Sequence, residues 1–204
     1  MVKQLTVAQL QSLPFALPDP WEQLSGSANA QGQISGNLLQ PTLANTQASF
    51  DGAIDQTPLQ LTAELTQASL DDADIEQIQL RSGNASLRLA GQLNWPDKAM
   101  DLQAQLDNLD WARLEPWMPA GISRSFSTLS GAASGQLSAQ GRWPQLTLDG
   151  ELSAGGRYRN QGFQLNWRGQ GEWSRQLRHS LSLNWGDSRL DGQLDSSGDE
   201  LDGQ

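Results

Sequence analysis

The sequence predicts an all-β protein, an antiparallel meander, and three observations point to it. Apolar and polar residues alternate over run after run, as where Leu146, Leu148, Gly150, Leu152 and Ala154 interleave with Thr147, Asp149, Glu151 and Ser153. A period of two places successive side chains on opposite faces of a strand. Turn signals made of Gly, Asn, Asp and Pro punctuate the runs at short intervals. The text also repeats itself about a hundred residues on, the mark of one structural unit used twice.

Taken in order, residues 5–24 hold a short helix or turn (Val7, Leu10, Leu13), stopped by Pro14 and followed by an extended path through Pro18 and Pro20. Strands begin at Ser25, with Ala28, Ala30, Gly32, Ile34 and Gly36 on one parity. After a break at Pro41 come Ala44, Thr46, Ala48 and Phe50, and Asp51-Gly52 reads as a turn. Leu59, Leu61, Ala63 and Leu65 form the clearest strand of the first half, and Asp71, Asp72 and Asp74 mark a loop. Ile78 and Leu80 resume the pattern before a turn at Ser82-Gly83-Asn84. Ala85, Leu87, Leu89, Gly91 and Leu93 follow, then the break Asn94-Trp95-Pro96-Asp97, then Met100, Leu102, Ala104 and Leu106. Residues 109–118 (Leu109, Trp111, Leu114, Trp117) give the second short helix or turn. Strands return through Leu137, Leu146–Leu152, Phe163–Trp173, Leu177–Trp185 and Leu190–Leu194, making about ten in all.

The repeat can be followed residue by residue. Gly32-Gln33-Ile34-Ser35 returns as Gly135-Gln136-Leu137-Ser138, Pro41-x-Leu43 as Pro144-x-Leu146, and Leu80-x-x-Gly83 as Leu183-x-x-Gly186, each 103 positions on. Two repeats of about 103 residues are therefore expected, residues 1–107 and 108–204, the second continuing the sheet of the first.

Composition narrows the function classes. A net charge of −10 argues against a nucleic-acid partner, which needs clustered Lys and Arg. Lys3 is the only basic residue before Arg81, so no basic strip faces an anionic membrane. Cysteine is absent, which removes disulfides and thiolate metal sites. No run of about 20 apolar residues could cross a bilayer as a helix. The lone His179 sits at an apolar-face position without a second His or Cys, so neither a general base nor a metal site is expected there. Asp71-Asp72-Ala73-Asp74-Ile75-Glu76 lacks the spacing of a calcium loop and reads as a solvated turn. No phosphate-binding glycine loop occurs, and no cofactor, metal or catalytic residue is expected.

Some ten strands with about four apolar side chains each present more oily surface than a soluble protein leaves wet. Three arrangements answer this: a sandwich, a closed barrel, or an open curled trough that holds an apolar ligand. Gly and Ala on the apolar parity (Gly91, Ala104, Gly150, Gly169, Gly171) leave space between curved walls or mark bends in a packed sandwich. Trp167, Trp173 and Trp185 share the apolar parity, as core aromatics or as groove lining.

Leu87-Arg-Leu89-Ala-Gly91-Gln-Leu93, Leu109-Asp-Trp111-Ala-Arg-Leu114-Glu-Pro116-x-x-Pro119-Ala-Gly121 and Leu129-Ser-Gly131…Gly135-Gln-Leu137-Ser138…Pro144-Gln-Leu146 resemble the repeats of the TamB family, within the AsmA-like superfamily. The resemblance covers most of the chain. It implies an extended antiparallel sheet curled into a taco-like groove across the periplasm, in a protein anchored in the inner membrane through a segment this piece lacks. It further implies that the groove conducts phospholipid acyl chains between inner and outer membrane, in company with the outer-membrane barrel protein TamA, which would meet regions outside this segment. The residues expected to line the groove are Leu59, Leu61, Leu65, Leu87, Leu89, Leu93, Met100, Leu102, Leu106, Leu146, Leu148, Leu152, Phe163, Leu165, Trp167, Leu181 and Leu183. The rival reading is a chaperone or assembly module that holds outer-membrane protein strands by β-augmentation. A ligand-free sandwich spacer is a third.

Overall fold

The computed structural model describes residues 3–6, 24–37, 40–54, 57–110, 129–173 and 175–196. Backbone contacts divide the chain into two compact units, Met1–Pro96 and Asp97–Gln204. The first holds β1 (Lys3–Thr6), β2 (Leu24–Asn37), β3 (Gln40–Ile54), β4 (Thr57–Ala68), β5 (Asp72–Ser82) and β6 (Ala85–Asn94). The second holds β7 (Ala99–Asp110), β8 (Leu129–Arg142), β9 (Gln145–Tyr158), β10 (Gln161–Glu172), β11 (Gln176–Trp185) and β12 (Ser188–Ser196).

Each unit is one antiparallel sheet in which strand order follows chain order. The first and last strands of a unit do not pair with each other, so neither unit closes into a barrel. Among the described residues, the strands of each unit belong to one sheet and contact their successive neighbours. Burial agrees with this. Among the described residues the buried apolar ones are Ile75, Ala85, Ala133, Leu146 and Ala154, and no large side chain is fully enclosed. A packed sandwich would bury its Leu and Trp far more deeply than its Ala.

Local chemistry sets the hairpins. Arg159 and Asn160 both have positive φ (48° and 67°), the mirror-image turn whose twist matches a two-residue connection between β9 and β10. Ser69 builds the β4–β5 turn: its hydroxyl accepts from the amides of Asp71 (3.1 Å) and Asp72 (3.0 Å) and donates to the Asp72 carboxylate.

Several expected details differ. Among the described residues there is no helix; the two expected helix-or-turn stretches fall largely on residues 7–23 and 111–128, outside the described set, and their described ends lie in β1, β2 and β7. Twelve strands are described rather than about ten. Asp51-Gly52 is no turn but lies inside β3, where a β-carbon on Gly52 would meet the Ser25 carbonyl oxygen at 2.0 Å. Glycine there serves a close strand approach. Pro41 also lies in β3, near its start and opposite Gly36, where a missing amide is tolerated. Asp72 and Asp74 belong to β5 rather than to a loop. Trp173 lies just beyond the end of β10, and its amide donates to the Leu146 carbonyl (2.8 Å).

Candidate functional site

Strand register gathers the alternating apolar residues of each unit into rows that cross the strands. In the first unit the rows are Phe50–Leu61–Leu80–Leu87, Ala48–Ala63–Ile78–Leu89, Thr46–Leu65–Ile75–Gly91 and Leu43–Ala68–Ala73–Leu93. Leu59 pairs with Gly52 at the end of the same face. In the second unit they are Leu102–Ala139–Leu148–Gly171–Leu177, Ala104–Leu137–Gly150–Gly169–His179–Leu194, Leu106–Gly135–Leu152–Trp167–Leu181–Gly192 and Leu109–Ala133–Ala154–Leu165–Leu183–Leu190. Met100 leads through Gly141 to Leu146 at one margin, and Gly156–Phe163–Trp185 forms the other. Every residue of the expected lining thus stands on the apolar side of its own unit. Leu146 is buried, Leu87 and Leu181 are exposed, and the rest are half-buried.

Sequence reasoning missed three members of these rows, Ile75, Leu109 and Leu43. Ile75 shares a face with Ile78, and Leu109 with Leu106, although each pair is three residues apart. Regular alternation forbids that, but a register shift lies between the members of each pair. The extra residue of a bulge restores the face. Asn108, at φ 51°, was the available signal, since Asn tolerates the left-handed region. A further shift at Gln31/Gln33 moves Ala44 off the row it was expected to join and puts Leu43 there instead.

The floor of the second unit is shaped by Trp167. Its indole lies over Gly169 and beside Gly150 and stacks on the His179 imidazole, with centroids 5.9 Å apart and planes 26° apart. The space left by these glycines is therefore partly filled from within the sheet. Nε2 of His179 is 3.0 Å from Ser196 Oγ. Aromatic pairs stand at both ends of the strands: Trp143 with Trp173 (6.3 Å) and Tyr158 edge-on to Trp185 (5.6 Å). At β12 the apolar side chains are well exposed, Leu190 at 60% and Leu194 at 66%.

The opposite face is polar and knits itself together. Gln136 Nε2 donates to Glu151 (2.9 Å), Arg168 pairs with the same carboxylate (3.3 Å), and Ser153 bonds Asn166 (3.0 Å). Arg189 donates to Asp191 (2.8 Å); that hydrogen bond, with one from Ser182, holds the Asp191 carboxyl below its ordinary range. These pairs are solvent-exposed, so water and salt screen them. A shallow groove of about 860 Å³ crosses this face between the Gln136–Glu151–Arg168 row and the Ser134–Ser153–Asn166 row. No cluster of three potential metal ligands occurs among the described residues.

Each unit thus presents an uncharged strip of apolar rows backed by a polar face, fit for binding apolar matter. No described helix is long and apolar enough to cross a membrane. In comparisons with known proteins, no curated protein and no solved structure matches the chain. The family model described as TamB, N-terminal domain, matches residues 3–200. The chain belongs to the TamB family.

Proposed function

We propose that this chain is a periplasmic segment of a TamB-type bridge, in which the apolar faces form the lining of a groove that conducts phospholipid acyl chains between inner and outer membrane. One observation carries the reading: among the described residues of the second unit the apolar rows cross β7 to β12 without an Asp, Glu, Lys or Arg, on a single sheet. Each CH₂ moved from water onto apolar surface gains ~0.8 kcal/mol. A chain sliding along an unbroken strip exchanges equal contacts at every step, so its free-energy profile stays flat. One buried charge would raise a barrier. The family match supports a role in the translocation and assembly module, without catalysis, and with the barrel protein TamA meeting other regions of the full protein.

The two-repeat organisation belongs to the same proposal. β2–β6 run 14, 15, 12, 11 and 10 residues, and β8–β12 run 14, 14, 12, 10 and 9. Such matching supports stacked copies, with residues 1–107 and 108–204 as the repeats and a taco-like section as their sum. Mass spectrometry of lipid copurified with the chain tests the function. Phospholipid at a defined stoichiometry supports the conduit; a folded chain that carries none, and holds outer-membrane polypeptide instead, supports the assembly role and contradicts it.

A further inference from the structure

We infer that the strand end of the second unit that carries Trp143 and Trp173 docks into the interfacial layer of a zwitterionic phospholipid bilayer. This goes beyond the conduit reading, which uses the strand faces and not the turns. Trp143-Pro144 joins β8 to β9, and Trp173 opens the connection from β10 to β11. The two rings stand at one end of the sheet, with centroids 6.3 Å apart, and are 48% and 47% exposed. Backbone bonds fix both turns: the Trp143 amide donates to the Lys98 carbonyl (2.9 Å) and the Trp173 amide to that of Leu146 (2.8 Å). The turns at the other end, Arg159-Asn160 and Gly186-Asp187, carry no apolar side chain. Trp185 at that end closes β11 and packs edge-on against Tyr158. The first unit, taken by itself, shows the same asymmetry. Leu70 in the β4–β5 turn and Trp95 after β6 are well exposed at one end, where the Trp95 amide donates to the Asp71 carbonyl (2.7 Å). The β5–β6 turn at the other end is Gly83-Asn84. Turns ordinarily take Gly, Asn, Asp and Ser, so bulky apolar residues repeated on one set of turns answer to something outside the chain.

Area and charge choose the occupant. A half-exposed indole offers on the order of 100 Å². The pair therefore falls well short of the roughly 800 Å² that each partner contributes to a specific protein interface. Rings carried singly on turns need no complementary wall to enter a soft surface. Trp suits the headgroup level of a bilayer, where its ring body is apolar and its N–H stays wet. The charges at these turns are already matched, Arg142 with Asp97 at 3.9 Å and Arg175 with Glu172 at 3.4 Å. A chain of net charge −10 is repelled by an anionic surface, so the rings and not Lys or Arg must supply the attraction. A zwitterionic bilayer meets both conditions.

The chain has no cysteine, so one introduced cysteine carries a label at a single place. In the full chain, an environment-sensitive dye on Arg175→Cys, beside Trp173, is quenched by brominated lipid in phosphatidylcholine–phosphatidylethanolamine vesicles. The same dye on Asp187→Cys, at the opposite strand end, is not. The double variant Trp143→Ala/Trp173→Ala, with strand content unchanged by circular dichroism, partitions onto these vesicles about tenfold less, and 0.5 M salt changes wild-type partitioning by less than about twofold. Equal quenching at both positions, wild-type partitioning by the folded double variant, or loss of binding in salt overturns the inference. So does a folded wild-type chain that stays in the aqueous phase, or a photoreactive group on Arg175→Cys that captures polypeptide in place of lipid. Each of these leaves the conduit standing, because lipid copurified on the strand faces is a separate readout.

Discussion

The indole of Trp167 occupies the space that a side chain at Gly169 would need: a β-carbon built there lies 2.5 Å from Cζ2 of the ring. The two residues are two positions apart on β10, so the ring leans along its own strand, reaching the His179 imidazole. All three of the nearest atoms to that β-carbon belong to side chains, so the conflict is between side chains and not with the backbone.

Gly169→Ala is therefore expected to displace the ring and cost about 1–3 kcal/mol, the range for overpacking. Chemical denaturation measures it. In the double variant with Trp167→Leu the cost largely disappears, because the atoms in conflict are gone. Additive losses would show that Gly169 answers to something other than the ring.

Leu148 and Leu165 stand on the two outer of the four central rows, Leu148 beside Gly171 and Leu165 between Ala154 and Leu183. Leu148→Asp or Leu165→Asp puts a carboxylate in the strip without removing a buried core residue, since both are half-buried. Strand content by circular dichroism is retained, while lipid adducts at the face drop more than about tenfold.

Gln79 is buried in β5, and its Nε2 has no hydrogen-bond partner, although its Oε1 accepts from Gln77 (3.4 Å). A buried unsatisfied donor costs about 1–3 kcal/mol. Gln79→Met keeps the length, removes the donor and raises the denaturation midpoint. A lower midpoint would mean that the weak Gln77 contact outweighs the unmet donor.

Asp191 tests the electrostatics of the polar face. The Arg189 hydrogen bond lowers its carboxyl pKa in the folded state, so the pair's contribution is present above the unfolded value of about 3.9 and is lost as pH falls through the folded value. Carbon NMR titration shows an Asp191 midpoint below that ordinary value, and Arg189→Ala moves it upward.

How much of this was legible in the sequence depends on whether period two survives. It survives in β9, β10 and β11, where Leu146 to Ala154, Phe163 to Gly171 and Leu177 to Leu183 fall on the apolar rows as the alternation dictates. It fails at bulges, which add one residue and leave at most a faint mark such as the left-handed Asn108; Ile75, Leu109 and Leu43 were hidden for that reason. Turn chemistry misled at Asp51-Gly52, because glycine serves a close strand approach as readily as a turn. The Trp167–Gly169–His179 arrangement was illegible, since which glycine a ring covers depends on a rotamer and not on spacing.

The most direct measurement of the central claim places a photo-crosslinking residue at Leu152, mid-strip in the second unit, and identifies the adduct by mass spectrometry after expression of the chain in the periplasm. Phospholipid joined through its acyl chain is the predicted result, with a matched probe at Glu151 on the polar face giving none. Polypeptide at Leu152, or equal lipid at both positions, would contradict it.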